Sequence, residues 1–186
     1  NQSSAWSGTL FGIKDWADRP PRQGGTDDWR FTKPVAPGTV MEYNDVRVNV
    51  LAYSLLQVWR KPLPQVLKER IMDPIGASTT WRWFGYKDAW VTVDGIQMKS
   101  VTGGGHSGGG VFISAMDHAR FGYLFLNEGN WNGNQLISKN WVDAVQVSSE
   151  AQASYGYMWW LNRGGRKWKG VDDESIYYAA GFGGNF

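Results

Sequence analysis

Residues 37–57 read PGTVMEYNDVRVNVLAYSLLQ, and a change of period inside this stretch organises the chain around it. Pro37-Gly38 signals a turn, Met41 and Tyr43 alternate as in a strand, and from Asp45 to Lys61 the pattern becomes helical. Val46, Val50, Leu51, Tyr53, Leu55, Val58 and Trp59 put apolar groups on several faces, which predicts a deeply buried helix. Pro62 and Pro64 stop it. Pro64 suits the first turn of a second, short helix running to about Met72, which Pro74 and Gly76 close. Tyr43 therefore stands just before a buried helix, where its hydroxyl can point into a cleft. A nearby cation that depressed its pKa would make the phenolate a general base. The plain alternative is an aromatic that only packs at an interface.

Composition narrows the possibilities. With 186 residues, 42% hydrophobic and 19% charged, the chain can fill one globular domain. Nineteen basic against 17 acidic residues leave a net charge of +2 without a block of either sign, so nothing marks a nucleic-acid footprint. Cysteine is absent, which removes disulfides, thiolate nucleophiles and zinc-thiolate sites together. No apolar run reaches the roughly 18 residues of a membrane span. Twelve tryptophans are more than a core of this size uses, and some are expected to line a groove. The chain begins at Asn1 and ends on YYAAGFGGNF, an aromatic strand signal with nothing to pair with. The expectation is that residues 1–186 are the central part of one domain, truncated at both ends.

Before the decisive stretch, residues 12–40 are rich in Pro, Gly and charge and predict a long excursion without regular structure. After it, DAWVTVDGIQMKSVT (88–102) holds Asp94-Gly95 between two β-prone runs, a hairpin signal. FISAMDHARFGYLFLNEG (112–129) predicts a helix capped by Ser114 and Asp117, with Ala119, Phe121, Leu124 and Phe125 as its apolar stripe. NWNGNQLIS is a tight turn into a helix from Lys139 to about Val147. SYGYMWWLN and SIYYAAGFGGNF predict two strands joined by a polar turn.

Residues 103–110, GGGHSGGG, contain Gly105-His106-Ser107-Gly108-Gly109, which matches G-x-S-x-G, the nucleophile elbow of α/β-hydrolases. The elbow needs its helix to begin at the serine, and an acid and then a histidine further along the chain. Here three glycines and Val111-Phe112-Ile113 separate Ser107 from the helix. The two histidines, His106 and His118, are both too close in sequence to return over a sheet. A structural glycine loop is therefore favoured over an elbow.

Five elements occur in one order: PG-x-x-x-x-Y-x-[ND] at 37–45, a helix, RIMDPIGAS at 70–78, GGGVFISAMDHARFGYLFLNEG at 108–129, and a GFGGN strand at 181–185. The series resembles the penicillin-recognising serine hydrolases, which include class C β-lactamases, esterases of β-lactamase fold and 6-aminohexanoate-oligomer hydrolases. NQSSAWSG at the start is similar to that family's H-T-S-G loop. The resemblance implies an α+β, β-lactamase/transpeptidase-like fold, an antiparallel sheet flanked by helices with a helical subdomain carrying Tyr43. It implies hydrolysis of a small ester or amide through an acyl-enzyme, with no cofactor or metal and no nucleic-acid or membrane partner. It also implies a periplasmic or secreted location.

By the same resemblance Tyr43 matches the general-base tyrosine, and Asp45 stands where relatives carry Asn or Ser. The family's nucleophile and its lysine lie in an S-x-x-K motif upstream of the tyrosine. No S-x-x-K occurs in this chain, so the pair is expected in the part of the same polypeptide that precedes Asn1. Ala179-Ala180-Gly181 occupies the place of Lys-Thr-Gly or His-x-Gly, and losing the basic residue argues against a dedicated β-lactamase. The backbone N–H of Phe182 would be an oxyanion donor, with Gly181 and Gly183 letting substrate approach the strand. His106, in a loop bordering the cleft, is a candidate substrate contact. Asp117 and Arg120 are assigned to capping and an internal ion pair. Two rivals stay open: an α/β-hydrolase using Ser107, and a non-catalytic, Trp-rich module binding peptidoglycan or another glycan.

Overall fold

The computed structural model describes residues 36, 38–41, 45–85, 89–101, 110–165, 167–171 and 175–180. They combine helices with small antiparallel sheets and fall into two compact units, one within residues 43–121, the other comprising residues 35–42 and 122–186. Each unit is described by itself. Most of the expected excursion at 12–40 lies outside the described residues.

In the first unit, helix α1 spans Asp45–Trp59, as the change of period predicts. Its burial differs from the expectation. Ala52 and Leu56 enter a core with Leu63, Ala89, Val91, Val93, Met98 and Val101, while Leu51, Leu55, Val58 and Trp59 face outward. The helix is apolar on two sides but packed on one. Covering such a side chain is worth about 1.5–3 kcal/mol, so the outer stripe leaves much hydrophobic free energy unused. Helix α2, Leu63–Leu67, carries Pro64 in its first turn and continues as a π-helical turn, Lys68–Met72.

Strands β2 (Trp90–Val93) and β3 (Ile96–Lys99) form the expected hairpin. Asp94 and Gly95 both have positive φ, 53° and 77°, the left-handed pair that a tight two-residue turn between twisted strands requires. Strand β2 alternates in burial, with Val91 and Val93 inward and Trp90 and Thr92 outward. Arg60, just past α1, reaches this turn: its Nε donates to Asp94 Oδ2 at 2.7 Å and its Nη2 pairs with Oδ1.

Strands β1 (Arg82–Phe84) and β4 (Gly110–Phe112) pair antiparallel, with Phe84 and Phe112 edge to face at 5.3 Å. The sequence offered no signal for this pair, because its partners lie on either side of the β2–β3 hairpin. Gly85 lies so close to Ser100 that a Cβ there would overlap the Ser100 carbonyl. Ser100 is fully buried, and its Oγ has no hydrogen-bond partner among the described residues. A buried hydroxyl without a partner costs about 1–3 kcal/mol of desolvation. Ser100→Ala is therefore expected to leave the melting temperature unchanged or raised. A fall of several degrees would mean that the hydroxyl has a partner.

In the second unit, strands β5 (Asn130–Trp131) and β6 (Asn134–Gln135) make the predicted tight turn, leading to helix α4, Lys139–Val145. Ser138 caps α4, its hydroxyl accepting from the Trp141 N–H. Strands β7 (Tyr155–Gly156), β8 (Trp159–Leu161) and β9 (Tyr177–Tyr178) form one antiparallel sheet. SYGYMWWLN is thus a hairpin and not the single strand expected. Its turn residues Tyr157 and Met158 take left-handed φ values of 44° and 74° without a glycine to announce them. Phe125, Trp159 and Tyr177 stack tightly beside this sheet, with ring centroids 4.9 Å apart for Phe125–Trp159 and 5.3 Å for Trp159–Tyr177. Burial pushes the Tyr177 phenol up from its ordinary pKa. Asn162, fully buried, accepts from the Lys167 and Trp168 N–H groups at 2.8 and 2.9 Å and pins the connection toward β9.

Candidate active site

Helix α3, Ala115–Leu126, begins where the sequence predicts. Ser114 Oγ accepts from the Asp117 N–H at 3.1 Å and donates to Asp117 Oδ2 at 2.9 Å. Asp117 also pairs with Arg120, Oδ1 to Nη1 at 2.9 Å, so the capping and ion-pair assignments both hold. What the sequence did not disclose is a third partner. Ser78, at the end of RIMDPIGAS, donates its backbone N–H to Oδ1 at 3.0 Å and its hydroxyl to Oδ2 at 2.5 Å. Asp117 is fully buried, and these donors draw the start of α3 onto the chain leaving the π-helical turn. The Ser78 hydroxyl and N–H, then the Ser114 hydroxyl and the Arg120 guanidinium, hold the Asp117 carboxyl down to about 2, against 3.8 for the free group. An acid held ionised in this way is a structural tether and a poor proton shuttle.

The described elements lead up to each candidate residue and stop short of most of them. Tyr43 lies outside the described residues, two positions before α1. Asp45 is the first residue of α1, and only its backbone is described. His106 and Ser107 lie outside the described residues, in the segment between Val101 and β4. Gly181, Phe182 and Gly183 lie outside them too, in the segment that follows β9 and the exposed Ala179 and Ala180. α1 and the two ends of the glycine segment belong to the first unit, and β9 belongs to the second.

An open groove of about 530 Å³ lies in the second unit, where Tyr123, Asn127 and Glu128 meet Asn130, Asn132 and Gly133. None of the candidate residues lines it, and its Glu128 is engaged by Lys139 Nζ at 2.7 Å. Among the described residues, no group of three or more His, Asp or Glu is placed to hold a metal. Among the same residues, no helix is long and apolar enough to cross a membrane.

The proteins to which this chain is similar belong to the penicillin-recognising serine hydrolases. One curated relative is the 6-aminohexanoate-dimer hydrolase of Paenarthrobacter ureafaciens, 28% identical over 152 residues, covering 73% of this chain and 35% of that protein. A solved structure, "Putative 6-aminohexanoate-dimer hydrolase from Bacillus anthracis", superposes with a TM-score of 0.54 at 24% identity, covering 70% of this chain and 32% of that one. The likeness to the second is one of fold. No family model matches the chain. The chain spans about a third of the length of each of these two proteins.

Proposed function

We propose that this chain is part of a serine hydrolase that cleaves a small amide or ester through an acyl-enzyme. The observation that carries the reading is the match, over 152 residues, to a protein named 6-aminohexanoate-dimer hydrolase. The ordered motifs from Pro37 to Gly184 support it. The nucleophilic serine and its lysine belong to a segment of the same polypeptide preceding Asn1, in keeping with the third of the relatives' length that this chain spans.

In this mechanism the lysine ammonium keeps the Tyr43 phenol easy to ionise. The phenolate takes the proton of the serine hydroxyl as its oxygen bonds to the substrate carbonyl carbon. The resulting oxyanion is held by the Phe182 N–H and the nucleophile's own N–H, with Gly181 and Gly183 leaving room for close approach. Tyr43 then gives its proton to the departing amine or alkoxide as the C–N or C–O bond breaks. Water, deprotonated by the same phenolate, releases the acyl group as a carboxylic acid and restores the serine. Asp45 can pair with the lysine, yet its charge also raises the tyrosine pKa, a tension that Asn or Ser in its place would not create. His106 contacts substrate from the glycine segment. With Ala179-Ala180 where a basic residue would grip a carboxylate, a substrate lacking that group is favoured over a penicillin. The polypeptide works in the periplasm or outside the cell.

A fluorophosphonate probe is expected to label the longer polypeptide at its upstream serine and to leave residues 1–186, expressed alone, unlabelled. Labelling of Ser107, or of any serine in the 186 residues, would sink the assignment and favour the α/β-hydrolase reading.

A further inference from the structure

The open groove of the second unit carries chemistry that the hydrolase reading leaves unused. Its volume of about 530 Å³ falls within the roughly 300–1,000 Å³ of small-molecule sites. Tyr123, 55% exposed, lines it, and so does the exposed Leu126. Trp131 meets the Tyr123 ring edge to face, centroids 5.7 Å apart and planes at 87°, which fixes how the phenol is presented. Turn chemistry accounts for part of the asparagine cluster facing it. Asn130 Oδ1 accepts from the Gly133 N–H at 3.0 Å, and Asn132 takes the left-handed φ of 49° that asparagine tolerates. It does not account for the rest. Asn130 Nδ2 and the whole side-chain amides of Asn127 and Asn132 have no partner among the described residues.

The walls are tied before anything binds. Gln135 Nε2 donates to the Glu128 and Ile137 carbonyls at 2.7 and 2.6 Å, and the Gly129 carbonyl accepts from the Leu136 and Ile137 N–H groups at 2.9 and 3.2 Å. A frame closed in this way leaves little to order on binding. The lining also selects a ligand class. Glu128 is the one charged lining residue among those described, and Lys139 Nζ neutralises it at 2.7 Å while reaching Asp143 at 3.1 Å. An anion thus meets no cation free to pair with it, and an ammonium group meets a carboxylate already engaged. A wholly apolar ring would cover the amides without satisfying them. A pyranose suits both walls. Its hydroxyls donate and accept, as an asparagine amide does, and the C–H groups of one sugar face carry the slight positive charge that an aromatic face attracts.

We propose that the groove between the end of α3 and the β5–β6 turn is a binding subsite for a neutral saccharide. Tyr123 is the stacking platform, and Asn127, Asn130 and Asn132 are the partners of the sugar hydroxyls. The site lies wholly within the second unit, and none of the candidate catalytic residues lines it. It therefore goes beyond the hydrolase reading and stands whether or not that reading holds.

The test is calorimetric titration of the longer polypeptide with maltotriose, cellotriose and tri-N-acetylchitotriose. At least one is expected to bind at millimolar concentration or below. Tyr123→Ala is expected to weaken that binding about tenfold or more, and Tyr123→Phe, which keeps the ring, to weaken it no more than about threefold. Asn132→Gly keeps the left-handed backbone while removing the amide, and is expected to weaken binding about threefold or more. Tyr157→Ala, in the exposed aromatic turn between β7 and β8, should change it less than about twofold. Melting curves establish that each variant is folded, and if Tyr123→Ala is not, Asn132→Gly decides. Failure of all three sugars to bind at millimolar concentration overturns the proposal. So does wild-type affinity in folded Tyr123→Ala or in Asn132→Gly, or a loss found in Tyr157→Ala in their place.

Discussion

Tyr43→Phe, made in the longer polypeptide, is expected to lower kcat/KM by about 10²- to 10⁴-fold, the range a positioned general acid–base group supplies. The substitution removes one oxygen and keeps the ring, so the thermal midpoint should hardly move. The loss should be larger on an amide than on an activated ester. An amine leaves only once protonated, whereas an activated alkoxide needs little help. Parallel assays of an anilide and a nitrophenyl ester check this, with a thermal melt as control. A variant retaining more than half of the wild-type amide activity would remove Tyr43 from the mechanism and leave it the interface aromatic of the plainer reading.

Asp117→Ala is expected to act in the opposite way, on stability before chemistry. It strips the acceptor from the Ser78 N–H and hydroxyl, the Ser114 hydroxyl and Arg120 in one step. Losing a buried network of this kind is expected to cost on the order of 5–10 °C in melting temperature at neutral pH. The pH dependence follows from the depressed carboxyl. Because the folded group titrates near 2 and the free group at 3.8, its contribution is complete above about pH 4 and disappears as pH falls toward 2. Wild type and Asp117→Asn should therefore converge on acidification. Melting curves at pH 7, 4 and 2.5 test this. A gap of constant size would mean that the charge on Asp117 does not matter.

What could be read in the sequence was what local chemistry dictates. Asp94-Gly95 announces its hairpin because two consecutive left-handed residues strongly favour such a pair. Ser114 and Asp117 announce the start of α3, and Ser138 stands ahead of α4 for the same reason. Long-range partners left no trace: Arg82–Phe84 pairs with Gly110–Phe112 across a hairpin, and no periodicity in either stretch names the other. Tyr157-Met158 hid a turn, because its left-handed backbone is held by the sheet around it and not by residue type. The outward face of α1 was expected to be buried because its apolar residues fall on several faces, and a periodic pattern does not say which of those faces meets a neighbour: Leu51, Leu55, Val58 and Trp59 are exposed. The candidate residues themselves came from the order of short motifs. The described structure reaches the elements flanking them, α1, β4 and β9, and stops short of the residues themselves.

The Ser78–Asp117 tether has a consequence for how this protein can diversify. The two residues are 39 positions apart, and everything between them, including GGGHSGGG, belongs to one closed loop. The entropy of closing a flexible loop grows only with the logarithm of its length, so doubling it would cost about 0.6 kcal/mol. Insertions and deletions around the glycines are therefore thermodynamically cheap while the clasp holds. A lineage can lengthen or trim this segment without renegotiating its fold.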